Sequence, residues 1–340
     1  MQRITSIKEI AKLANCSIAT VSNALNNKGR VSQEIREKIF EICKQHGYLP
    51  NSAGRNLRRR QNEIVGLMFY PSCSAIFSNV FYAKIMESLE ATMEAHGYDI
   101  LLSGTDFLKN PTEPPRFMRQ GKVDGIILLG GFPQKAVSDL HSFGLPLLFL
   151  DNHVENLPVD NVTSDGFNAS ELIVEHLVKL GHRRIVYMAH SHEDANASVR
   201  EAGFLKAVIK HGLNPEECPS LRDFYHTSDG YERLRELLAK SNAATALIGV
   251  NDTLAVELME CLQDDGIRVP EDMTIFGFND DTDSVRTTPK LSTVRIEKGK
   301  MGLLGAETIL KRIEDPDTGY TSIRLPVELV HRESEAPPRL

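Results

Sequence analysis

The segment SIATVSNALN, residues 17–26, combines hydrogen-bonding side chains with small apolar ones and carries no charge. Ser17 is a good N-cap, so we expect a helix that starts there. At helical spacing, Val21 and Leu25 point to the same side and can pack inward. The opposite face then presents Ile18, Ala19, Ser22, Asn23 and Asn26. Asparagine can form two hydrogen bonds to adenine, and isoleucine or alanine can contact a thymine methyl group, so this face suits the major groove of DNA.

A second group of chemically capable residues is HSHED, residues 190–194. A His-x-His pair beside carboxylates can hold zinc. The group follows a predicted strand end, where contact with a bound small molecule or with solvent is the favoured interpretation, and we predict no metal site. The chain has neither a GxGxxG motif after a strand nor a GxxxxGK[ST] loop, so we predict no nucleotide cofactor and no enzymatic activity.

Two further short helices should position the first segment. One is predicted by apolar residues at helical spacing, which are Ile7, Ile10, Ala11 and Ala14. The other should begin at Ser32, end at His46-Gly47 and bury Ile35, Ile39, Ile42 and Cys43. A turn of about three residues separates the first helix from the second, so the pattern predicts a small helix-turn-helix unit.

The charge of the chain is divided unevenly. Residues 1–62 carry 12 Lys and Arg against 4 Asp and Glu, a net charge of +8, whereas residues 63–340 have a net charge of −15. A basic head on an acidic body predicts that the head binds nucleic acid. Two unequal solvated surfaces are the alternative interpretation.

From residue 63 onward, short apolar runs alternate with helical stretches. IVGLMF, VDGIILLG and TALIGVN are three such runs, and they are typical of buried parallel strands. Repeated βαβ units predict an α/β core of two doubly wound parallel-sheet subdomains. The carboxyl ends of their strands should face a shared cleft, where open α/β sheets bind ligands.

These patterns divide the chain into three parts. We expect a helix-turn-helix domain over residues 1–48, a hinge helix or linker over 49–62, and a ligand-binding core over 63–340. Within the core, one subdomain should comprise about 63–160 and 291–320, and the other about 161–290 and 321–340.

Composition favours a cytoplasmic location. The five cysteines are odd in number and far apart, with no CxxC pair, so neither a disulfide framework nor a zinc ribbon is indicated. The amino terminus lacks the apolar core of a signal peptide, and no window reaches the roughly 18 apolar residues of a membrane span. We therefore expect no membrane partner.

Residues 6–57, SIKEIAKLANCSIATVSNALNNKGRVSQEIREKIFEICKQHGYLPNSAGRNL, resemble the head of the lactose-repressor/galactose-repressor family of bacterial transcription regulators. The resemblance continues to about residue 334 through VDGIIL, HLVKLGHRRI, REAGF, VNDTLAVELM, GIRVPEDMTIFGFND and PKLSTVR. It implies a homodimer that binds a pseudo-palindromic operator in double-stranded DNA, and a core similar to periplasmic sugar-binding proteins. A small effector in the core cleft would change DNA binding.

We accordingly expect a repressor that responds to a sugar or sugar derivative. A nucleobase, nucleoside or sugar phosphate is the alternative effector, and a solute-binding protein or a sugar-modifying enzyme is the less favoured alternative. The basic head and the missing signal peptide argue against a transport protein.

The resemblance also implies roles for residues of the head and the hinge. Ile18, Ala19 and Asn23 would read bases, and Ser17, Thr20 and Ser22 would bind phosphates, with Asn26 on the same face. In the hinge, Leu57 matches a leucine that wedges into the minor groove, and Arg55 would lie beside it. Gly54 stands where the family usually has alanine, which weakens the hinge helix by roughly 1 kcal/mol.

In the core, the resemblance implies a set of effector-binding residues. Asp151, Arg200 and Asn251 match residues that hydrogen-bond sugar hydroxyls in the sugar-responsive members. Four rings could stack on a pyranose, namely those of Phe81, Tyr82, Tyr225 and Phe278. Asn279 stands at a position that is frequently aspartate, so this chain lacks a charge there.

Overall fold

The computed structural model describes residues 6–25, 29–46, 61–69, 79–104, 114–154, 156–190, 195–222, 224, 226–240 and 243–339. The chain divides into two compact units, Met1–Asn62 and Glu63–Leu340.

The described part of the first unit contains the helices α1 (Ile7–Ala14), α2 (Ile18–Leu25) and α3 (Gln33–His46). Asn15 ends α1 in the left-handed conformation, with φ of 55°, and so turns the chain toward α2. The three helices share one buried cluster, formed by Ile10, Ala11, Ala14, Val21, Ala24, Ile39, Ile42 and Cys43. The predicted helix-turn-helix unit is confirmed.

One expected core residue of this unit is exposed. Ile35 lies in the first turn of α3, one turn before the buried Ile39, and is 36% exposed. Ala24 of α2 is fully buried instead. The apolar stripe of α3 therefore starts one turn later than its spacing suggested.

The second unit alternates strands and helices. Its strands in the described residues are β1 (Ile64–Phe69), β2 (Asp99–Gly104), β3 (Gly125–Leu129), β4 (Leu147–Leu150), β5 (Asp160–Ser164), β6 (Ile185–Met188), β7 (Ser220–Leu221), β8 (Ala246–Gly249), β9 (Thr274–Phe276), β10 (Thr293–Arg295), β11 (Ser322–Leu325) and β12 (Glu328–Val330). Its helices there are α4 (Val80–Ala95), α5 (Arg116–Arg119), α6 (Gln134–His141), α7 (Gly166–Leu180), α8 (Ala195–Lys210), α9 (Thr227–Leu238), α10 (Asp252–Asp264) and α11 (Lys298–Glu314). None of the described helices combines the length and the apolar character that a membrane crossing requires.

Two parallel sheets organise these elements. The first has the strand order β11-β5-β4-β3-β1-β2, and the second has the order β7-β6-β8-β9. A short antiparallel pair, β10 with β12, lies outside both sheets. In β3, Ile127 and Leu129 face one buried cluster while Ile126 and Leu128 face another. Because both faces of the strand are covered, the sequence shows a continuous apolar run rather than alternation.

The first sheet extends beyond the expected subdomain limits at residues 160 and 320. Strand β5 continues to Ser164 in this sheet, and β11 pairs with it in the register Ser322↔Asn161. Asp160 explains the position of β11, because its Oδ1 accepts a hydrogen bond from the backbone N–H of Thr321 at 2.7 Å. The chain therefore leaves the first sheet after 164 and leaves it again after 325.

A buried ion pair fixes this corner of the sheet. Arg312 of α11 donates from Nε to Asp160 Oδ2 at 2.7 Å and from Nη2 to Asp160 Oδ1 at 3.0 Å. Both side chains are almost completely buried. The guanidinium also donates to the carbonyls of Pro316 and Gly319, each at 3.0 Å, so it orders the connection from α11 to β11.

Replacing Arg312 by alanine should lower the free energy of unfolding by about 3–5 kcal/mol, because the carboxylate of Asp160 would stay buried without its cation. Denaturant unfolding measures this loss. Lys135→Ala is the control, since Lys135 pairs with Asp139 at 2.9 Å on the surface and its loss should cost less than about 1 kcal/mol. Equal losses in the two variants would contradict the structural role of Arg312.

Candidate functional sites

Helix α2 begins with a capping arrangement. The Ser17 hydroxyl accepts a hydrogen bond from the backbone N–H of Thr20 at 3.0 Å, and the two side-chain hydroxyls lie 2.8 Å apart. Val21 is buried on the inner side, and Leu25 packs against the same cluster. Ser17 is thus the predicted N-cap, and its hydroxyl helps to fix the start of the helix.

The outer face of α2 is open to solvent. Ala19 and Asn23 are exposed, and the Ile18 side chain is 43% exposed, while Thr20 and Ser22 are half-buried. The predicted base-reading face thus presents an exposed apolar side chain beside an exposed amide and carries no charge, and its contact with bases stays a prediction. Asn26, Arg55 and Leu57 lie outside the described residues.

Two side chains and a backbone carbonyl of the core meet at the carboxyl edge of the second sheet. Arg200 of α8 is buried, and its Nη1 donates to the carbonyl oxygen of Val250, just after β8. Its guanidinium carbon lies 4.6 Å from the centroid of the Phe278 ring, two residues after β9. The Nε atom of Arg200 is buried and has no hydrogen-bond partner among the described residues. One donor of this guanidinium is therefore buried without a partner in the described part of the chain.

Asn251 and Asn279 flank this group. Asn251 is the N-cap of α10, and its Oδ1 accepts from the backbone N–H of Leu254 at 2.8 Å. Asn279 has a φ of 111°, an uncommon conformation for a residue with a side chain. Its Nδ2 donates to Asp281 at 3.1 Å, whereas its buried Oδ1 has no hydrogen-bond partner within the described part of the chain.

A buried carboxyl contacts the loop after β9, residues 277–281, which carries Phe278 and Asn279 and is called the Asn279 loop. Asp252 accepts hydrogen bonds from the Thr293 hydroxyl and, at 2.7 Å, from the backbone N–H of Asp281. Its own N–H donates to the carbonyl of Phe278 at 2.8 Å. Burial outweighs these hydrogen bonds and raises the pKa of Asp252 to about 8, so the carboxyl is mostly protonated at neutral pH.

Lys298 connects the loop to the first subdomain. Its ammonium donates to the carbonyl oxygens of Asn279 and Asp280, and lies 3.3 Å from Asp281 Oδ1. The same ammonium is 5.7 Å from the centroid of the Phe81 ring, which contacts Tyr82 edge-on at 5.3 Å. Phe81, in the first turn of α4, thus contacts the cation that holds the Asn279 loop, and the neighbouring Tyr82 contacts Phe81.

Asp280 anchors the far side of this loop. Although burial opposes ionisation, hydrogen bonds from Arg332 and Arg295 hold the pKa of Asp280 below its usual value. A cavity of about 540 Å³ opens beside it, lined in part by Lys298 and Glu87.

Asp151 lies on the opposite side of the cleft, after β4. It is buried in the left-handed conformation, with φ of 60°, and its N–H donates to Val162 O at 2.8 Å. Its carbonyl accepts a 2.6 Å hydrogen bond from Asn196 Nδ2 of α8, so this contact joins an element of the first sheet to one packed on the second. The neighbouring cavity, about 450 Å³, is lined by Phe132, Pro133, Gln134, His153, Val154, Phe167, Ala195, Ser198, Val199 and Ala202. None of the predicted effector residues within the described part of the chain lines it.

The predicted effector residues thus form two groups. Arg200, Asn251, Phe278 and Asn279 cluster at the edge of the second sheet, with Phe81 and Tyr82 linked to them through Lys298. Asp151, after β4 of the first sheet, is joined through Asn196 to α8, the helix that carries Arg200 four residues later. Tyr225 is outside the described residues, as are residues 191–194.

His190, the first residue of the HSHED group, contacts protein groups. Its Nε2 lies 3.3 Å from the Thr227 hydroxyl, and its ring meets Phe224 edge-on at 5.1 Å. Burial lowers the pKa of His190.

Sequence reasoning missed Asn196, Asp252 and Lys298. Asp252 follows Asn251 directly after a predicted strand, where an acidic first-turn residue is ordinary helix chemistry. Nothing in the sequence around Lys298 indicates its role, because that role depends on contact with a loop that lies 18 residues away in sequence.

The fold and the two sites define a class of protein: a DNA-binding transcription regulator with a ligand-binding α/β core. Residues 6–51 match the model for bacterial regulatory proteins of the lacI family, and residues 174–335 match the periplasmic binding protein-like domain. The chain is 30% identical over 335 residues to the "Probable HTH-type transcriptional repressor ExuR" of Bacillus subtilis (strain 168). The alignment covers 97% of this chain and 98% of that relative. The chain belongs to the lacI family of bacterial regulatory proteins, as its sequence predicts.

Solved structures agree with this assignment. The Lac repressor dimer bound to operator and the anti-inducer ONPF matches with a TM-score of 0.82 at 22% identity, over 98% of this chain and 100% of that one. A LacI family transcriptional regulator from Enterococcus faecium with bound ribose matches with a TM-score of 0.69 at 26% identity, over 81% of this chain and 100% of that one. The predicted fold class is confirmed, and the relatives are regulators rather than enzymes.

The buried carboxyl of Asp252 should make stability depend on pH. Its folded pKa of about 8 lies above the unfolded value of about 3.9, so its stabilising contribution is complete below about pH 4 and is lost as the pH rises through 8. Asp252→Asn removes this titration. Between pH 5 and 7 the unfolding free energy of the wild type should fall relative to the variant by up to about 1.4 kcal/mol per pH unit.

Denaturant unfolding at a series of pH values measures the difference. Asp264→Asn is the control, because it makes the same replacement at an exposed position of α10. Parallel pH curves for the wild type and Asp252→Asn would contradict a protonated Asp252.

Proposed function

We propose that the protein is a homodimeric repressor that binds a pseudo-palindromic operator in double-stranded DNA. Residues 1–48 would bind DNA, residues 49–62 would form the hinge, and the core from residue 63 would bind a small effector that changes operator affinity. A sugar or sugar derivative is the favoured effector. The site of action is the cytoplasm, where bacterial DNA is found.

The observation that carries the proposal is the outer face of α2. Ile18, Ala19 and Asn23 are held outward because Val21 and Ala24 are buried beneath them. The helix has no charged side chain, so it can enter a groove without desolvating an ion. The basic residues elsewhere in the head, which has a net charge of +8, would then supply the attraction to phosphates.

A dimer follows from the amount of sequence that one head can read. A recognition helix of eight residues offers few base contacts, each worth about 1–3 kcal/mol of discrimination. Two heads on a palindrome double this discrimination, and the two-fold symmetry of the protein then matches that of the operator.

The polar groups of the cleft support a hydroxylated effector. Arg200 Nε is a donor and Asn279 Oδ1 is an acceptor, and a sugar hydroxyl can satisfy either. The ring of Phe278 and the rings near Lys298 provide apolar surface beside them. A similar family member from Enterococcus faecium has ribose bound, which also favours a sugar. Coupling would be reciprocal, since an effector that weakens operator binding must itself bind the DNA complex less tightly by the same factor.

Asn23→Ala should relax the preference for one base pair in each operator half-site. The loss of the two amide hydrogen bonds should cost about 1–3 kcal/mol on the preferred operator and much less on operators already changed at that position. Binding curves at one fixed salt concentration, on operators varied one base pair at a time, measure the effect.

Gln45→Ala is the matched control, because it removes an exposed amide from α3, where the Gln45 side chain bonds Glu41 at 3.0 Å. It should leave the base preference unchanged. A uniform loss of affinity on every sequence in Asn23→Ala would make Asn23 a phosphate contact and contradict base reading.

Arg200→Ala should abolish the response of operator binding to the effector while operator binding itself persists. A thermal-shift screen against sugars, sugar phosphates and nucleobases first identifies the ligand, since a ligand at 100 times its Kd stabilises the folded protein by about 2.7 kcal/mol. The effect of that ligand on operator affinity is then compared in the wild type and the variant.

Arg184→Ala is the control, because Arg184 Nε donates to the Ala243 carbonyl at 2.7 Å at the opposite end of the same sheet. If the alanine variant does not fold, Arg200→Lys is tested in its place, because lysine keeps a cation and a long apolar stem. A full effector response in a folded Arg200 variant would contradict the assignment of Arg200, and a hit only among nucleobases would overturn the sugar assignment.

A further inference from the structure

Two histidines and a glutamate meet on the surface of the second subdomain. His176 lies in the middle of α7, whereas His331 and Glu335 lie four residues apart after β12. The Nε2 atom of His176 is 2.6 Å from Glu335 Oε2, and the Nδ1 atom of His331 is 2.9 Å from Glu335 Oε1. The two imidazole centroids are 4.4 Å apart. One ligand-capable atom from each residue lies within 4.8 Å of the others.

We propose that His176, His331 and Glu335 bind a divalent transition-metal ion, with Zn²⁺ as the favoured ion. Two imidazole nitrogens and one carboxylate oxygen form a common three-residue donor set for zinc, and water takes the fourth position. Imidazole ligands also suit Ni²⁺ and Cu²⁺, while the small number of oxygen ligands disfavours Ca²⁺ and Mg²⁺.

The present spacing between the Glu335 oxygens and the two imidazole nitrogens is close to what such an ion requires. Tetrahedral zinc with bonds of about 2.0–2.1 Å needs donor atoms roughly 3.3 Å apart. The carboxylate oxygens now lie slightly nearer than that to each imidazole nitrogen. The ligand atoms of the three residues all lie within 4.8 Å of one another, so side-chain rotations that bring the two imidazole nitrogens closer together would exchange the two hydrogen bonds for metal bonds.

The backbone that carries Glu335 is held on both sides. Ser334 donates from its hydroxyl to Ile275 O at 2.7 Å, and its N–H donates to Lys290 O at 3.0 Å. The next residue, Ala336, donates its N–H to Thr274 Oγ1 at 3.0 Å. Glu335 therefore has little freedom to leave the two histidines, and binding an ion costs little chain entropy.

The histidines are also mounted on ordered segments. His331 lies between β12 and Arg332, whose N–H donates to Ser292 Oγ at 2.8 Å. The ring of Phe276 forms an apolar wall, with its centroid 5.7 Å from that of His176. The side chain of His331 is 51% exposed, so an ion can reach the site from solvent.

The ion would link two segments that are distant in sequence. His176 is 155 positions before His331, and α7 packs on the second sheet while the segment after β12 crosses its edge. A shared metal would bind this segment to α7 and raise the melting temperature of the full chain.

Titration of the metal-free full chain, without an affinity tag, tests the site. Isothermal calorimetry with ZnCl₂ should give one site per chain, and Co²⁺ should show the visible absorption of a four- or five-coordinate ion. His331→Ala should weaken Zn²⁺ binding by at least about 100-fold, since losing a direct ligand costs no less than losing a residue that supports one. Glu335→Gln should weaken it similarly.

His96→Ala is the matched control, because His96 is an exposed histidine whose Nδ1 lies 2.8 Å from the backbone oxygen of Thr92 and which is outside the cluster. It should bind Zn²⁺ as the wild type does. Equal binding in the wild type, His331→Ala and Glu335→Gln would overturn the proposal, as would the absence of a site with one ion per chain. Either result would mean that the three side chains only hydrogen-bond one another.

Discussion

The loop after β9 depends on one buried carboxyl. Asp252 receives hydrogen bonds from the Thr293 hydroxyl and from the N–H of Asp281, and donates its own N–H to Phe278. These bonds tie the start of α10 to the loop and to β10. Because the loop carries Phe278 beneath Arg200 and Asn279 beside Lys298, the polar side of the cleft is shaped by this contact. A buried carboxyl group has a lower free energy when it is protonated than when it is charged, and the pKa of Asp252 is raised for this reason.

Polar contacts, as well as chain crossings, join the two sheets. Lys298, at the start of a helix that packs on the first sheet, holds the Asn279 loop, while Asn196 of α8 holds the carbonyl of Asp151. Both contacts are hydrogen bonds, and the residues that form them do not belong to the apolar clusters of the two sheets. A ligand that competed for either of them would change the balance between arrangements of the two subdomains, which is how the proposed effector could act.

Much of this architecture follows from the sequence alone, and the exceptions have physical reasons. Strands buried on both faces, such as β3, appear as continuous apolar runs, and the period of α2 separates its inner from its outer face. Strand β11 gives no such signal, because it is the edge of its sheet and three of its four residues are partly or fully exposed. Its position depends on Asp160 and Arg312, whose contact spans 152 positions. Asp252 and Lys298 likewise cannot be identified from the sequence, because their contacts form only when distant segments come together in the fold.

The exposure of Ile18 has a thermodynamic consequence. Its side chain is 43% exposed in water and lies outside the apolar core of the head. Burying that surface against a thymine methyl group would remove ordered water and lower the heat capacity of the complex. Contacts to phosphates alone bury little apolar surface. In its proposed base-reading role, Ile18 would let the head distinguish a matched site from random DNA by a contribution that salt does not screen and that changes with temperature.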